Sequence, residues 1–211
     1  MRLLKLWVFL TVPAFLISCT SFNLAEHSGD LSVKKQRRAK DVTGIVQPFA
    51  YTPIESDEQD LMTKEDLLRW QEVLADGLNR SNVFADIVRQ NGDKVPDHTA
   101  YLIDGKIKRF YFKKNWVPTF FPFHLGLSFI TLTGYTWAAG PTTVTKVDFQ
   151  VEVNIKDAKS GEVIKTLSEQ FQDTTTMNIY SKDLNNPYGN PNLVFARVID
   201  SLAADMAAAL P

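Results

Sequence analysis

This chain has one cysteine in 211 residues, and that scarcity excludes a good deal. A single thiol, Cys19, permits no disulfide within the chain and no cysteine-built metal site. Histidine is almost as scarce. His27, His98 and His124 are the three, and none stands at a spacing from a second histidine or a carboxylate that would suggest a metal site. No metal site and no cofactor are implied. Neither sign of charge dominates: 23 basic residues face 24 acidic ones, so there is no general drive toward nucleic acid. Gly-x-Gly-x-x-Gly, the phosphate-binding loop and Gly-x-Ser-x-Gly are missing, and Gly126-Leu127-Ser128 lacks the second glycine. The carboxylate pairs Asp57-Glu58 and Glu65-Asp66 stand at or before a helix start, where they serve the helix dipole. With no catalytic set in view, the expectation is not an enzyme.

What is present begins at the first residue. Arg2 and Lys5 precede the apolar run Leu6-Trp7-Val8-Phe9-Leu10-Thr11-Val12-Pro13-Ala14-Phe15, which closes on Leu16-Ile17-Ser18-Cys19. A basic start, a short apolar run and a small-residue exit form a secretory signal peptide. The run is shorter than the roughly 20 apolar residues a bilayer span needs. Its last four residues resemble the lipobox of bacterial lipoproteins. The resemblance implies a diacylglyceryl group on the Cys19 sulfur, removal of residues 1–18 and acylation (palmitate-type) of the new amine. Thr20 follows Cys19, where Asp favours inner-membrane retention in the enteric-type sorting pattern. The resemblance therefore implies an outer-membrane protein, held by its acyl chains and facing the periplasm. Loss of the signal removes two basic and no acidic residues, leaving 21 against 24 and a formal charge of −3.

Residues 19–41 read as a lipidated tether, polar and poor in large apolar side chains. Lys34, Lys35, Arg37, Arg38 and Lys40 crowd its end. They are either a solvated approach to the first strand or a contact with anionic head groups, at about 1 kcal/mol per charge near such a surface. Residues 42–211 then suit a single domain.

Within it, residues 42–49 read as a first strand ended by Pro53. Thr63 is a good N-cap with Asp66 three residues on, and Leu67, Trp70, Leu74 and Leu78 recur at helical spacing until Asn82. Residues 83–88 read as a short strand and 100–112 as a long aromatic one. Val147, Phe149, Val151, Val153 and Ile155 alternate with polar residues over 144–156, the mark of a strand with one buried face. Asp157-Ala158-Lys159-Ser160-Gly161 turns the chain into a returning strand, 162–171. A polar loop, 173–192, follows. Its Asn-rich part, 185–192, suits either a sugar ligand or plain loop geometry. Asn190 and Pro191 start a final helix whose apolar stripe is Phe195, Val198, Leu202, Met206 and Leu210. The order predicts an α+β fold: a mixed or mainly antiparallel sheet with two helices on one face, plus an apolar insertion between two strands.

That insertion, 115–145, contains no Asp, Glu, Lys or Arg. It holds Trp116, Phe120, Phe121, Phe123, Phe129, Tyr135 and Trp137 among its aromatic residues, and Pro118, Pro122, Gly126, Gly134, Gly140 and Pro141 break it. Such punctuation disrupts a regular helix. Three readings stay open: a cover for the open face of the sheet, a loop dipping into the leaflet beside the anchor, or a docking surface for a protein or oligomer.

In outline, and in phrases such as Tyr101-Leu102-Ile103-Asp104-Gly105-Lys106-Ile107, residues 42–210 are similar to small periplasmic lipoprotein domains. Examples are the amino-terminal domain of TolB, activators of penicillin-binding proteins and auxiliary lipoproteins of lipid transporters. The resemblance implies a lipid-anchored accessory in envelope assembly or transport, acting through an envelope protein partner. The alternative is a module that binds a lipid or other apolar ligand with residues 116–140.

Overall fold

The computed structural model describes residues 31–36, 42–54, 62–90, 98–116, 143–178, 180–181 and 186–210. Strands β1 (Thr43–Val46) and β2 (Ala50–Tyr51) come first, followed by helix α1 (Lys64–Ser81). Strands β3 (Asp86–Arg89), β4 (Thr99–Trp116), β5 (Thr143–Asp157) and β6 (Val163–Met177) precede the closing helix α2 (Asn192–Ala209).

Local chemistry sets the ends of α1. The Thr63 hydroxyl accepts from the Asp66 N–H at 3.2 Å, and the Thr63 N–H donates to the Asp66 carboxylate at 2.8 Å, a closed capping box. At the other end Asn82 takes the left-handed conformation, φ 61°, as a C-terminal Asn can. Helix α2 starts differently from the expectation. Pro191, not Asn190, occupies the cap position and no side chain caps it. Instead the Asn190 carbonyl accepts from Leu193 N–H and the Pro191 carbonyl from Val194 and Phe195 N–H.

The sheet has six strands in the order β3-β1-β4-β5-β6, with β2 beside β4. β1 runs parallel to β3 and β4, and β5 runs antiparallel to β4 and β6 on either side of it. The predicted α+β class and mixed sheet are therefore present, and the sheet stays open. The predicted first strand is split. β1 stops at Val46, Pro48 offers no N–H to a ladder, and pairing resumes with Ala50 and Tyr51 against Lys106 and Ile107. The predicted strand 83–88 begins only at Asp86, because consecutive Val83 and Phe84 are both buried in a bend, against the alternation of a regular strand. The Asn79 amide then fastens β3 to α1, giving and taking hydrogen bonds of 2.7 Å with Ile87. The returning strand runs on to Met177, so residues 173–177 are sheet rather than loop. Asp173–Met177 pair with Thr143–Val147.

Both helices pack on one face. The buried side chains of β5 (Val147, Phe149, Val151, Val153 and Ile155) meet them. Trp70 is the hub, with ring centroids 4.9 Å from Phe149, 5.5 Å from Phe195 and 6.2 Å from Phe49. Gly77 permits the close crossing of the helices. A Cβ there would lie 2.8 Å from Ile199 and 2.9 Å from Leu31.

Candidate functional site

Two regions are candidates: the points where residues 31–36 and the apolar segment join the domain, and the outer edge of the sheet among the described residues. Residues 31–36, expected as free tether, belong to the domain. Leu31 is buried against both helices near Gly77, and its carbonyl accepts from Arg80 at 3.2 Å. The Lys34 N–H donates to Asp200 at 2.7 Å, and Gln36 N–H donates to the Ser81 carbonyl at 2.6 Å. The tether is thereby shortened from its expected end at 41, because Leu31 fills a slot by Gly77 and Val33 packs on the same core. Lys34 and Lys35 keep exposed side chains, while Arg37, Arg38, Lys40 and Cys19 lie outside the described residues.

Trp116 is the last residue of β4 and pairs with Thr143, the first of β5. Phe120, Phe121, Phe123, Phe129, Tyr135 and Trp137 lie outside the described residues. The pairing still constrains them. Ends held as direct cross-strand neighbours, about 5 Å apart, cannot stand on opposite sides of a hydrocarbon core about 30 Å thick. No described helix is long and apolar enough to cross a membrane.

The face of the sheet away from the helices is polar, and a bulge keeps it so. The register of β4 shifts between Ile107 and Arg109, so Lys108 is an extra residue. Strict alternation from Ile103 and Ile107 would turn Arg109 inward. The bulge turns Phe110 inward instead and leaves Arg109 to pair with Asp148 at 2.7 Å. Asp148 also accepts from Gln170 at 2.8 Å and Gln172 at 3.1 Å. Further along, Asp104 binds Lys156 and accepts from Asn154, whose carbonyl oxygen accepts from Thr166 at 2.9 Å. This polar ladder is a poor seat for an apolar cover.

Strand β6 is the outer edge among the described residues. Helix α2 lies along its inner side and leaves a cleft of about 290 Å³ lined by Glu169, Phe171, Arg197, Ser201 and their neighbours. Arg197 stands 5.7 Å over the Phe171 ring. Burial holds the Glu169 carboxyl above its usual range; the nearby Asp205 carboxylate adds to this, and a hydrogen bond from the Ser201 hydroxyl opposes it. The sequence reading passed over this edge, although the polar Gln172–Thr176 run beyond Phe171 is its signal.

Among the described residues no three His, Cys, Asp or Glu side chains gather as a metal site. His98 is exposed in a turn, and His27 and His124 lie outside the described residues. In the Asn-rich loop, the Asn186 side chain is buried and accepts from Tyr188 and Gly189 N–H at 2.9 and 3.1 Å, so it serves the turn itself.

No protein-family model and no curated protein matches the chain. Among solved structures it is similar to the PelC dodecamer of Paraburkholderia phytofirmans, at 13% identity and TM-score 0.40, over 85% of this chain and 94% of that one. It is similar also to protein XCC0632 of Xanthomonas campestris, at 10% and 0.48, over 84% and 91%. Lipoprotein GNA1162 of Neisseria meningitidis is a third, at 8% and 0.39, over 79% and 99%. At identities this low the likeness concerns the course of the backbone and assigns no side chain a role.

Proposed function

We propose that this chain is a lipid-anchored accessory protein of the bacterial envelope, acting by protein–protein contact rather than catalysis. The observation that carries the reading is the seating of Leu31 between the helices, only twelve residues after the lipobox Cys19. Twelve extended residues reach at most about 40 Å. Leu31 sits one helical turn from the Phe195–Phe149 contact, and Phe149 pairs with Phe110. From there β4 runs six residues to Trp116, about 20 Å. An anchor at Cys19 can therefore hold the Trp116 end of the sheet at the same leaflet. Residues 116–140 then serve as a second membrane contact or as the face shown to a partner. Thr20 after Cys19 favours the outer membrane and its periplasmic side.

Replacement of Cys19 by Ala is expected to abolish labelling by a fatty-acid analogue and to leave uncleaved precursor. Unchanged labelling would sink the lipoprotein reading. Crosslinking in intact cells should recover one stoichiometric envelope protein, and the yield should depend on residues 116–140. Lipid co-purifying with a non-acylated form, without any protein, would instead favour an apolar-ligand module. The described sheet offers that alternative little, because one face is filled by helices and the other carries Asp104, Arg109, Asp148, Glu152 and Lys156.

A further inference from the structure

We propose that β6 is a self-association edge: two copies of this chain pair antiparallel through it, about a twofold axis at Glu169. An edge strand presents a row of backbone donors and acceptors, and soluble proteins commonly blunt it with proline, bulges or short length. β6 has no proline and is 15 residues long, and the irregularity in its pairing to β5 falls at its first residues; what guards the edge is charge, Lys165, Glu169 and Asp173 on the helix side, so only a partner that matches those charges can pair with it. Its side-chain pattern also selects a partner. A twofold interface places residue i opposite residue j and j opposite i. Centred on Glu169, the pairing sets Lys165 against Asp173 and Leu167 against Phe171, each twice. Thr166 then meets Gln172 and Ser168 meets Gln170. Opposite charges and apolar groups thus fall together on the helix side and hydrogen-bonding groups on the open side, the pairs that stabilise antiparallel ladders. A register shifted by two residues, centred on Ser168, sets Lys165 against Phe171 and Leu167 against Glu169, and loses both matches. The joined edges would extend one polar face across both copies.

One contact in this register is unfavourable at neutral pH, because Glu169 meets its own copy. The groups facing it are Asp205, Arg197 and Ser201 from α2, Lys165 and Asp173 along its own strand face, and uncharged Val151 across from it on β5. Two carboxylates side by side favour a shared proton, so acidification strengthens the pairing and Glu169→Gln makes it independent of pH.

The test is disulfide trapping in the full, membrane-bound chain. With Glu169→Cys the two thiols sit on directly opposed residues, about 5 Å apart between Cα atoms, within the span of a disulfide. With Val163→Cys they stand about 40 Å apart. The expected result is a crosslinked dimer for the first and none for the second, with the unsubstituted chain as control for Cys19. Lys165→Asp and Asp173→Lys, each alone, should weaken association roughly threefold to tenfold, and the two together should restore it. Sedimentation of the full unsubstituted chain in detergent should show more dimer at pH 5 than at pH 8. A monomer at both pH values, equal crosslinking from both cysteines, or a double swap no better than either single swap would overturn the proposal. None of these outcomes depends on the anchor.

Discussion

Gly105 is where one added carbon does most harm. A Cβ there would stand 2.0 Å from the Glu152 carbonyl oxygen and 2.7 Å from the Phe49 ring. Gly105→Ala is expected to cost at least about 3 kcal/mol, read as a lower urea midpoint. At Trp70 the outcome depends on what is removed. Its indole N–H has no hydrogen-bond partner among the described residues, so Trp70→Phe sheds that donor and part of the ring, whereas Trp70→Ala opens the hub and should cost about 3–5 kcal/mol. Two carboxyls carry opposite pH signatures. Asp157 accepts from Ser160 and Lys159 N–H at 2.7 and 2.9 Å, which holds its proton affinity below the usual value. Its contribution is present above the unfolded-state value and lost as pH falls through the folded one. Glu169 is raised, so the folded chain binds its proton more tightly than the unfolded chain, and stability falls as pH rises from the unfolded value through the folded one. Glu169→Gln should therefore flatten the unfolding profile within that window, while Asp157→Ala should flatten it at more acid pH, below the usual carboxylate value. The sequence showed Asp157 as a turn residue, but the burial of Glu169 required α2 to be in place.

At the scale of elements, the helices were the most legible. Thr63, Asp66 and Asn82 act through neighbours three residues away, so their roles survive without knowledge of the fold. Thr63→Ala should cost about 1 kcal/mol by thermal unfolding, because two first-turn groups lose their partners together. The strands were legible in type and less so in extent. Asp173–Met177 looked like loop because its polar threonines show no apolar alternation. β-branched side chains on a half-open edge satisfy a strand without it. The Lys108 bulge was invisible for a related reason: alternation read from one strand does not say where an extra residue goes, and only the partner's register does.

Across the whole molecule, the segment 31–36 closes the space between the helices. A chain beginning at residue 31 should match the longer chain in stability. One beginning at residue 42 should lose about 1.5–3 kcal/mol through exposure of the Leu31 site, together with two backbone hydrogen bonds, and its helices should be cut faster by protease. Leu31 and Val33 alternate over only three residues, too short a pattern to mark a packed segment, so their seating was not legible in the sequence.

Local and periodic information resides in the amino-acid sequence alone. It determined both helices with their apolar faces, the Asp157–Gly161 turn and the uncharged stretch between two strands, and it carries the resemblance of residues 2–19 to a signal peptide with a lipobox. The tertiary structure decided the order β3-β1-β4-β5-β6, the bulge that keeps Arg109 out of the core, the seating of Leu31, and the place of β6 as the outer strand among the described residues. The division has a physical basis. Caps, turns and amphipathic stripes act between residues within a few positions of one another. Sheet order, register and edges come from pairings between distant segments, whose free energy depends on everything else packed around them.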